Sequence, residues 1–350
     1  MKDLLKNARE QKGLKTREVA QMLHIDQALI SKFENGQRKP TRDQLTKLAT
    51  LLEIDFDTLL ISWLKEKIIY EIGQDEFALK AIQLAEEEIK RNAFKKTYPI
   101  SAALQLLLNE IDNLKEKVTR FRSFETEAIK QTIALDYIFN SNQLDGNTFS
   151  LEETIAVIQK GETIAGKSMR EHLEAINHIE ALRYLETLYS KSGFISEKEI
   201  FTLHNLSVRG ITPEESGKYR TTDTVQNETS YNLPRFNTIP KLMADTFLWY
   251  ETNKIKLHPV ILAGEILAQL QQIQPFAFGN NKVARMIMNF ILLQQGYLSA
   301  NIKGDMASRM RLEHALNEAQ TSQSKELLLL QIAEAEKKSL ERYLNLLVYQ

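Results

Sequence analysis

One polar stretch, placed between two segments of helical apolar periodicity, holds the side chains best suited to chemistry. It reads Ile273-Gln274-Pro275-Phe276-Ala277-Phe278-Gly279-Asn280-Asn281-Lys282-Val283-Ala284-Arg285. Its glycine and two asparagines open a predicted helix, where backbone N–H groups and the helix dipole favour a phosphate. Lys282 and Arg285 follow within one turn and can reach the same anion. The spacing therefore predicts a phosphate-binding loop; the simpler alternative is an ordinary turn between two helices.

Two helices must position this loop. Apolar periodicity predicts the first over residues 259–273. The second has an apolar face that consists of Met286, Ile287, Phe290, Ile291 and Leu292. The loop therefore connects two elements that can both pack into a core.

The stretch resembles the signature loop of the Fic family, whose members usually transfer AMP from ATP to a protein hydroxyl. The family pattern is His-Pro-Phe-x-Asp/Glu-Gly-Asn-Gly-Arg-x-x-Arg. The positions that match it are Pro275, Phe276, Gly279, Asn280 and Arg285. The resemblance implies that Gly279, Asn280, Asn281, Lys282 and Arg285 bind the phosphates of a nucleotide.

Four positions depart from the pattern, and two of them concern catalysis. Gln274 stands where the family has its histidine general base, and an amide lacks comparable basicity; losing such a base typically costs about 10²–10⁴-fold in rate. Phe278 stands where a carboxylate would hold magnesium, and a phenyl ring cannot bind a hard cation. Asn281 replaces a glycine, and Lys282 replaces an arginine, which keeps the charge but loses the bidentate fork. We therefore expect a cradle that suits ATP, without its usual Mg²⁺ and without efficient transfer.

A second segment, Ser141-Asn142-Gln143-Leu144-Asp145-Gly146, resembles the inhibitory segment of the family, Ser/Thr-x-x-x-Glu-Gly/Asn. By that resemblance Ser141, Asp145 and Gly146 form an inhibitory element in which Asp145 faces Arg285. Aspartate is one methylene shorter than the glutamate of the family. A helix C-cap at Gly146 is the structural alternative, and both can hold together.

Further stretches match the Fic scaffold in the expected order: 165–178, 210–220 and 258–260. The resemblance covers the chain from about Ala128 onward. Within it, residues 221–234 alternate β-branched and polar residues, which predicts a small β-hairpin flap. In Fic proteins this flap pairs with a target protein by strand addition, so the resemblance implies a protein partner there.

The N-terminal segment Thr16–Gly36 resembles an XRE/Cro-type helix-turn-helix, ending in the run Ile30-Ser31-Lys32-Phe33-Glu34-Asn35-Gly36. Five short helices are predicted in about seventy residues. The resemblance places a recognition helix over about 27–34 in the major groove of double-stranded DNA. Base contacts are expected from Gln27, Ser31 and Lys32, and phosphate contacts from Arg17, Arg38 and Lys39.

Charge agrees with a DNA-binding head. Residues 1–47 hold 11 Lys/Arg and 6 Asp/Glu, whereas the remainder holds 34 and 40. A basic head on an acidic body points to a polyanion partner for the head. Farther on, an apolar stripe comprises Leu104, Leu107, Leu108, Ile111, Leu114 and Val118. It suits either packing against the body or a homodimer contact, and DNA readers of this type usually bind as pairs.

The chain has no cysteine, so neither disulfides nor thiolate metal sites are available. His172, His178, His204 and His258 have no metal-like spacing, and we expect core or capping roles for them and no metal site. No signal peptide or membrane-spanning run is found, so a cytoplasmic location without a membrane partner is expected.

Together these features predict an all-α protein with three regions: a helix-turn-helix domain over 1–72, a helical linker over 73–125 and a Fic-like domain over 126–350. The leading functional hypothesis is a DNA-binding transcriptional regulator with a degenerate Fic domain that binds nucleotide or a partner. The alternative is an active, autoinhibited and autoregulated, toxin-like adenylyltransferase.

Overall fold

The computed structural model of the chain describes residues 1–86, 99–188, 195–223, 233–321 and 324–348. These residues form two compact units, Met1–Glu88 and Ile89–Gln350. The segment predicted as a linker, 73–125, is shared between the two units. The division into three domains otherwise stays a prediction.

The first unit contains the five predicted helices: α1 (Lys2–Gln11), α2 (Thr16–Leu23), α3 (Gln27–Glu34), α4 (Arg42–Leu52) and α5 (Phe56–Ile72). Residues 78–86 are also helical. Short helices need caps: Asp26 accepts a hydrogen bond from the N–H of Ala28 at 2.7 Å, and Thr41 and Gln44 form a capping box. The apolar faces close on one core that includes Leu5, Val19, Ile30, Phe33, Leu45, Leu48 and Leu59.

The second unit is also helical. Its α-helices are α6 (Ala102–Phe121), α7 (Glu127–Leu144), α8 (Leu151–Ile155), α9 (Met169–Leu188), α10 (Glu197–Val208), α11 (Ile239–Asn253), α12 (Pro259–Ile273), α13 (Asn280–Gln294), α14 (Met306–Thr321) and α15 (Glu326–Val348). Helices α12 and α13 lie at its centre and are buried around most of their circumference. A helix that is apolar on all sides is expected in the interior of a bundle.

The apolar stripe of α6 is part of this core. Leu104, Leu108, Ile111 and Val118 are buried, and α6 packs along α15. Leu107 and Leu114 are half-buried against the same core. Of the two interpretations of the stripe, packing within the unit is the one that the structure shows.

The predicted fold class is confirmed in its helical part, and the predicted hairpin flap is not seen in the described residues. Residues 224–232, which form most of the predicted hairpin, lie outside the described residues. Their flanks, 221–223 and 233–235, contain no strand, and neither do the other described ranges. Within those ranges no helix is long and apolar enough to cross a membrane.

Candidate phosphate-binding site

The loop after α12 begins with a sharp change of backbone direction at Gln274. This residue has a left-handed conformation (φ 43°), and its N–H still donates to the carbonyl of Leu270 at 2.9 Å. Pro275 then prevents the helix from continuing. The buried Arg220 fixes the exit, because its Nε donates to the carbonyl of Gln274 at 3.0 Å and its N–H to the carbonyl of Pro275 at 2.9 Å.

Asn280 closes the loop. Its Oδ1 accepts a hydrogen bond from the N–H of Phe276 at 2.9 Å, and its Nδ2 donates to the carbonyl of the same residue at 2.8 Å. Gly279, with φ 75°, is the N-cap of α13. A Cβ at this position would lie 3.0 Å from Cγ1 of Val208, so both conformation and space favour glycine.

His204 of α10 contacts the loop through its ring and through a hydrogen bond. Its ring stacks on Phe276 with centroids 3.8 Å apart. Nδ1 accepts a hydrogen bond from the N–H of Gly217 at 3.0 Å, so Nε2 carries the proton and donates to the carbonyl of Phe278 at 2.9 Å. Burial lowers the pKa of His204 to about 4. The imidazole is therefore neutral at neutral pH and serves to orient the loop.

His204 should make stability depend on pH. An unfolded histidine has a pKa of about 6.5, so the unfolded chain binds more protons than the folded chain between about pH 4 and about pH 6.5. The free energy of unfolding should fall across that window as the pH is lowered, by about 3 kcal/mol for this group. Urea unfolding of wild type and His204→Gln at both ends of the window measures the effect. His178, whose pKa burial also lowers, is common to both proteins. An equal fall in both would contradict the assignment.

The cationic side chains of α13 converge on Asp145, which follows α7. Nη2 of Arg285 lies 2.8 Å from Oδ2 of Asp145 and also donates to the carbonyl of Ser141 at 2.8 Å. Nζ of Lys282 lies 3.8 Å from the same Oδ2 atom. Both cationic residues are buried, at 6% and 4% exposure for Lys282 and Arg285. Burial lowers the pKa of Lys282, and the charges of Asp145 and Glu174 oppose that shift.

The structure thus places Asp145 against Arg285, as the resemblance implied. Asp145 caps α7, and Gly146 follows it with φ 93°, so the capping alternative is realised as well. Oδ1 of Asp145 is buried without a hydrogen-bond partner among the described residues. The inhibitory role of Ser141, Asp145 and Gly146 stays a prediction.

A cavity of about 350 Å³ opens beside the first turn of α13. Its lining includes the predicted residues of the loop and others that the sequence did not indicate as site residues, contributed by α9, α10 and α14. The predicted ones are Asp145, Gln274, Gly279, Asn280, Asn281 and Lys282, and the added ones include Arg170, Glu174, Ser207, Val208, Arg309 and Glu313. Those on α9 and α10 precede the loop by 65 or more positions, and those on α14 are separated from it by α13. No local sequence pattern could therefore have identified them as site residues.

The chemistry of this cavity suits an anion. Gln274, at 8% exposure, presents an amide at the position of the family's base. Phe278 is 42% exposed and lies under the guanidinium of Arg170, whose carbon is 5.0 Å from the ring centroid. Each lining carboxylate is bound by an arginine, and no cluster of His, Asp or Glu among the described residues could hold a metal ion. The donor set therefore does not fit magnesium.

The other histidines have structural contacts. His172 accepts a hydrogen bond from the N–H of Ile164 at 2.9 Å, and His258 caps α12 by accepting one from Val260 at 3.2 Å. His178 is fully buried, with Nδ1 3.0 Å from Oδ1 of Asn142. These core and capping roles are those expected from the sequence.

In the first unit, five of the six predicted DNA contacts are exposed: Arg17, Gln27, Ser31, Lys32 and Arg38. Lys39 differs, because its Nζ donates to the carbonyl of Glu66 at 2.8 Å and lies 4.6 Å from the ring centroid of Tyr70. Its ammonium is engaged within the unit, so a phosphate contact would require a rearrangement.

Comparison with known families agrees with both units. The family model described as Fic/DOC matches residues 194–292, and the model described as helix-turn-helix matches residues 5–59. The chain contains a helix-turn-helix domain followed by a Fic/DOC domain.

Curated relatives match the second part of the chain. The protein adenylyltransferase Fic of Nematostella vectensis is 31% identical over 198 residues, which are 55% of this chain and 46% of that protein. The protein adenylyltransferase fic-1 of Caenorhabditis elegans is 27% identical over 208 residues, 58% of this chain and 40% of that protein. The chain thus spans less than half the length of these relatives.

Solved structures show the same fold. Fic-1 of C. elegans aligns with a TM-score of 0.61 at 22% identity, covering 98% of this chain and 96% of that one. A Fic family protein of Desulfovibrio desulfuricans aligns with a TM-score of 0.61 at 23% identity, covering 71% and 76%.

Proposed function

We propose that the protein is a DNA-binding transcriptional regulator whose Fic domain binds a phosphate-containing ligand such as ATP without transferring AMP efficiently. One observation carries the proposal: the signature loop keeps its anion-binding geometry while an amide, Gln274, occupies the position of the general base. An amide cannot take the hydroxyl proton at neutral pH.

The ligand-binding part rests on charge and shape. Lys282 is buried and lines the cavity together with Gly279, Asn280 and Asn281 at the start of α13, and Arg285 is buried one turn farther along the same helix. Buried cations are retained only where a counter-charge is available. Asp145 fills that role in this structure, and in the proposal the phosphates of the ligand replace it.

The DNA-binding part rests on α3. Its N-terminal residue, Gln27, is exposed, as are Ser31 and Lys32 along the same helix. Glutamine can pair bidentately with adenine in the major groove. The arrangement of α2 and α3, joined by a turn at His24 with φ 54°, is that of a helix-turn-helix.

Selection of duplexes from a random pool tests DNA binding directly. Against the selected duplex, Gln27→Ala should cost about 1–3 kcal/mol and relax specificity at one base pair. Arg17→Ala should weaken binding to all duplexes alike and reduce the salt dependence by about one phosphate contact. Arg120→Ala, an exposed arginine of the second unit, serves as the control and should bind as wild type. Failure to enrich any duplex would refute this part of the proposal.

A second function, AMP transfer, is favoured by the names of the curated relatives and the retained loop. It would require a base other than Gln274. Glu174 and Glu313 line the cavity, but each is bound by an arginine, Arg170 and Arg309. Transfer of labelled AMP that survives Gln274→Ala and disappears in Arg285→Ala would support this function over the first.

Other expectations stay predictions. They are a homodimer, a protein target at the flap 221–234, autoinhibition through Asp145 and a cytoplasmic location. Sedimentation of the full chain with and without the selected duplex measures the first of them.

A further inference from the structure

Arginine–carboxylate pairs surround the cavity beside α13. The three carboxylates of the lining, Asp145, Glu174 and Glu313, are bound by Arg285 at 2.8 Å, by Arg170 at 2.9 Å and by Arg309 at 2.9 Å. Lys282 adds a fourth cation. The lining itself thus holds three cations, Arg170, Lys282 and Arg309, against three carboxylates, and the buried Arg285 raises the count of cations to four. Each carboxylate is already paired with an arginine.

The three pairs differ in how firmly they are held. Arg285 is buried, and it is fixed by Ser141 as well as by Asp145. Arg170 is 54% exposed at its side chain and pairs with Glu174 one turn along the same helix. A partly exposed pair of this kind contributes little to stability. Glu174, whose side chain is 11% exposed, also accepts a hydrogen bond from Nδ2 of Asn147 at 3.1 Å, so its carboxylate keeps a partner when Arg170 leaves.

Arg309 pairs with Glu313 in the same way, with side chains 42% and 62% exposed. Arg170 and Arg309 can therefore both turn to a ligand, and Arg170 is the one that lies over Phe278 of the loop.

Phe278 fixes where Arg170 can turn. The guanidinium carbon lies 5.0 Å from the centroid of the ring, within the range of a cation–π contact. Phe278 also lines the cavity, so it holds the guanidinium at the cavity edge. The ring supplies no ligand for a divalent cation, and Nζ of Lys282 lies 3.8 Å from Oδ2 of Asp145. A divalent cation would meet an excess of positive charge here.

We propose that this cavity binds a nucleoside triphosphate as the free polyanion, without a divalent metal. Arg170, held over Phe278, leaves Glu174 and neutralises the phosphates in place of that metal. Arg170 is thus a ligand-binding residue and Phe278 the residue that positions it, and together they set the preference for the metal-free ligand. The inference rests on the proposed ligand-binding function and specifies the ionic form of the ligand.

The preference follows from charge. A magnesium ion cancels two of the negative charges of a triphosphate, which removes part of the attraction to Arg170, Lys282 and Arg285. Adding magnesium should therefore weaken binding of ATP to the full chain by about tenfold, the value of one charge-assisted hydrogen bond.

The test is calorimetric titration of the full chain with ATP, in EDTA and in excess magnesium. In EDTA, Arg170→Ala should bind about tenfold more weakly than wild type, and magnesium should weaken its binding less than it weakens that of wild type, because Lys282 and Arg285 remain. Arg120→Ala is the matched control, since Arg120 also pairs with a glutamate one turn away, Glu116, but lies outside the cavity. Thermal unfolding of each variant verifies that it is folded.

Phe278→Asp provides the converse test. A carboxylate at this position should reverse the effect of magnesium, so that magnesium strengthens binding of ATP. Phe278→Leu, which keeps an apolar side chain without a ring face, should show the wild-type direction with a smaller effect.

Two outcomes overturn the inference alone: tighter binding of ATP by wild type in magnesium than in EDTA, or unchanged binding by Arg170→Ala. Absence of ATP binding by wild type under both conditions overturns the proposed ligand-binding function itself.

Discussion

The double substitution Gln274→His, Phe278→Asp is expected to raise AMP transfer by about 10²–10⁴-fold over wild type. An imidazole with a pKa near 6.5 can take the hydroxyl proton at neutral pH, which an amide cannot. The aspartate supplies an oxygen ligand for magnesium. The backbone suits the change, because Gln274 has φ 43° and histidine is among the residues that adopt this region more often than most.

The matched control is Gln274→Asn, Phe278→Asp, which restores the metal ligand without a base. The rate is that of transfer of labelled AMP, with release of pyrophosphate, from ATP labelled on its α-phosphate to the protein or to added hydroxyl compounds. Each variant is also combined with Asp145→Ala, which releases Arg285. The comparison separates two possible causes of low transfer: the missing base, and the occupation of the cavity by Asp145. Equal rates for the histidine and asparagine variants would show that Gln274 is not what limits transfer.

Arg285→Ala is expected to destabilise the fold by about 3–5 kcal/mol, because removing one partner of a buried ion pair leaves the other uncompensated. Asp145 is 18% exposed at its side chain, and Ser141 would also lose its donor. The double variant Asp145→Ala, Arg285→Ala removes both charges and should recover most of that loss. Urea unfolding of the wild type, both single variants and the double variant measures the coupling.

The double variant should recover stability and still fail to bind ATP. This separates the structural from the ligand-binding contribution of Arg285. A double variant as unstable as Arg285→Ala would mean that the hydrogen bonds to Ser141, rather than the pairing with Asp145, stabilise this region.

The sequence determined the local parts of the site well. Apolar periodicity predicts the helix before the loop over 259–273, and α12 has these bounds. Gly279 and Asn280 were placed at the start of the next helix, as in the structure. Such features follow from apolar periodicity, a proline and a glycine, which act within a few residues. The proximity of Asp145 and Arg285 required the family resemblance, because they lie 140 positions apart.

The remaining wall of the cavity could not be predicted. Arg170 and Arg309 are exposed helix residues with glutamates four positions later, a pattern typical of any solvated helix face. The sequence predicts a phosphate contact for Lys39, whereas in the structure its Nζ donates to the carbonyl of Glu66. Which charged side chains line a cavity, and which instead hydrogen-bond to other parts of the fold, depends on how separate helices pack together.

The apolar stripe of α6 is a second case in which the local pattern does not identify the packing partner. The residues around Leu108 in α6 had a spacing compatible with a dimer contact or with internal packing. Both bury the same side chains, and periodicity does not identify the partner surface. The structure shows α15 as that partner.

The central claim is that the Fic domain binds a phosphate-containing ligand but does not transfer AMP efficiently. It is tested most directly by incubating Asp145→Ala with ATP labelled on its α-phosphate, with wild type beside it, and measuring both binding and covalent labelling. The account predicts tighter binding of ATP by Asp145→Ala, because Arg285 is released, with no covalent label on either protein. Label that accumulates on Asp145→Ala and disappears when Arg285 is also replaced would contradict the claim and establish an active transferase.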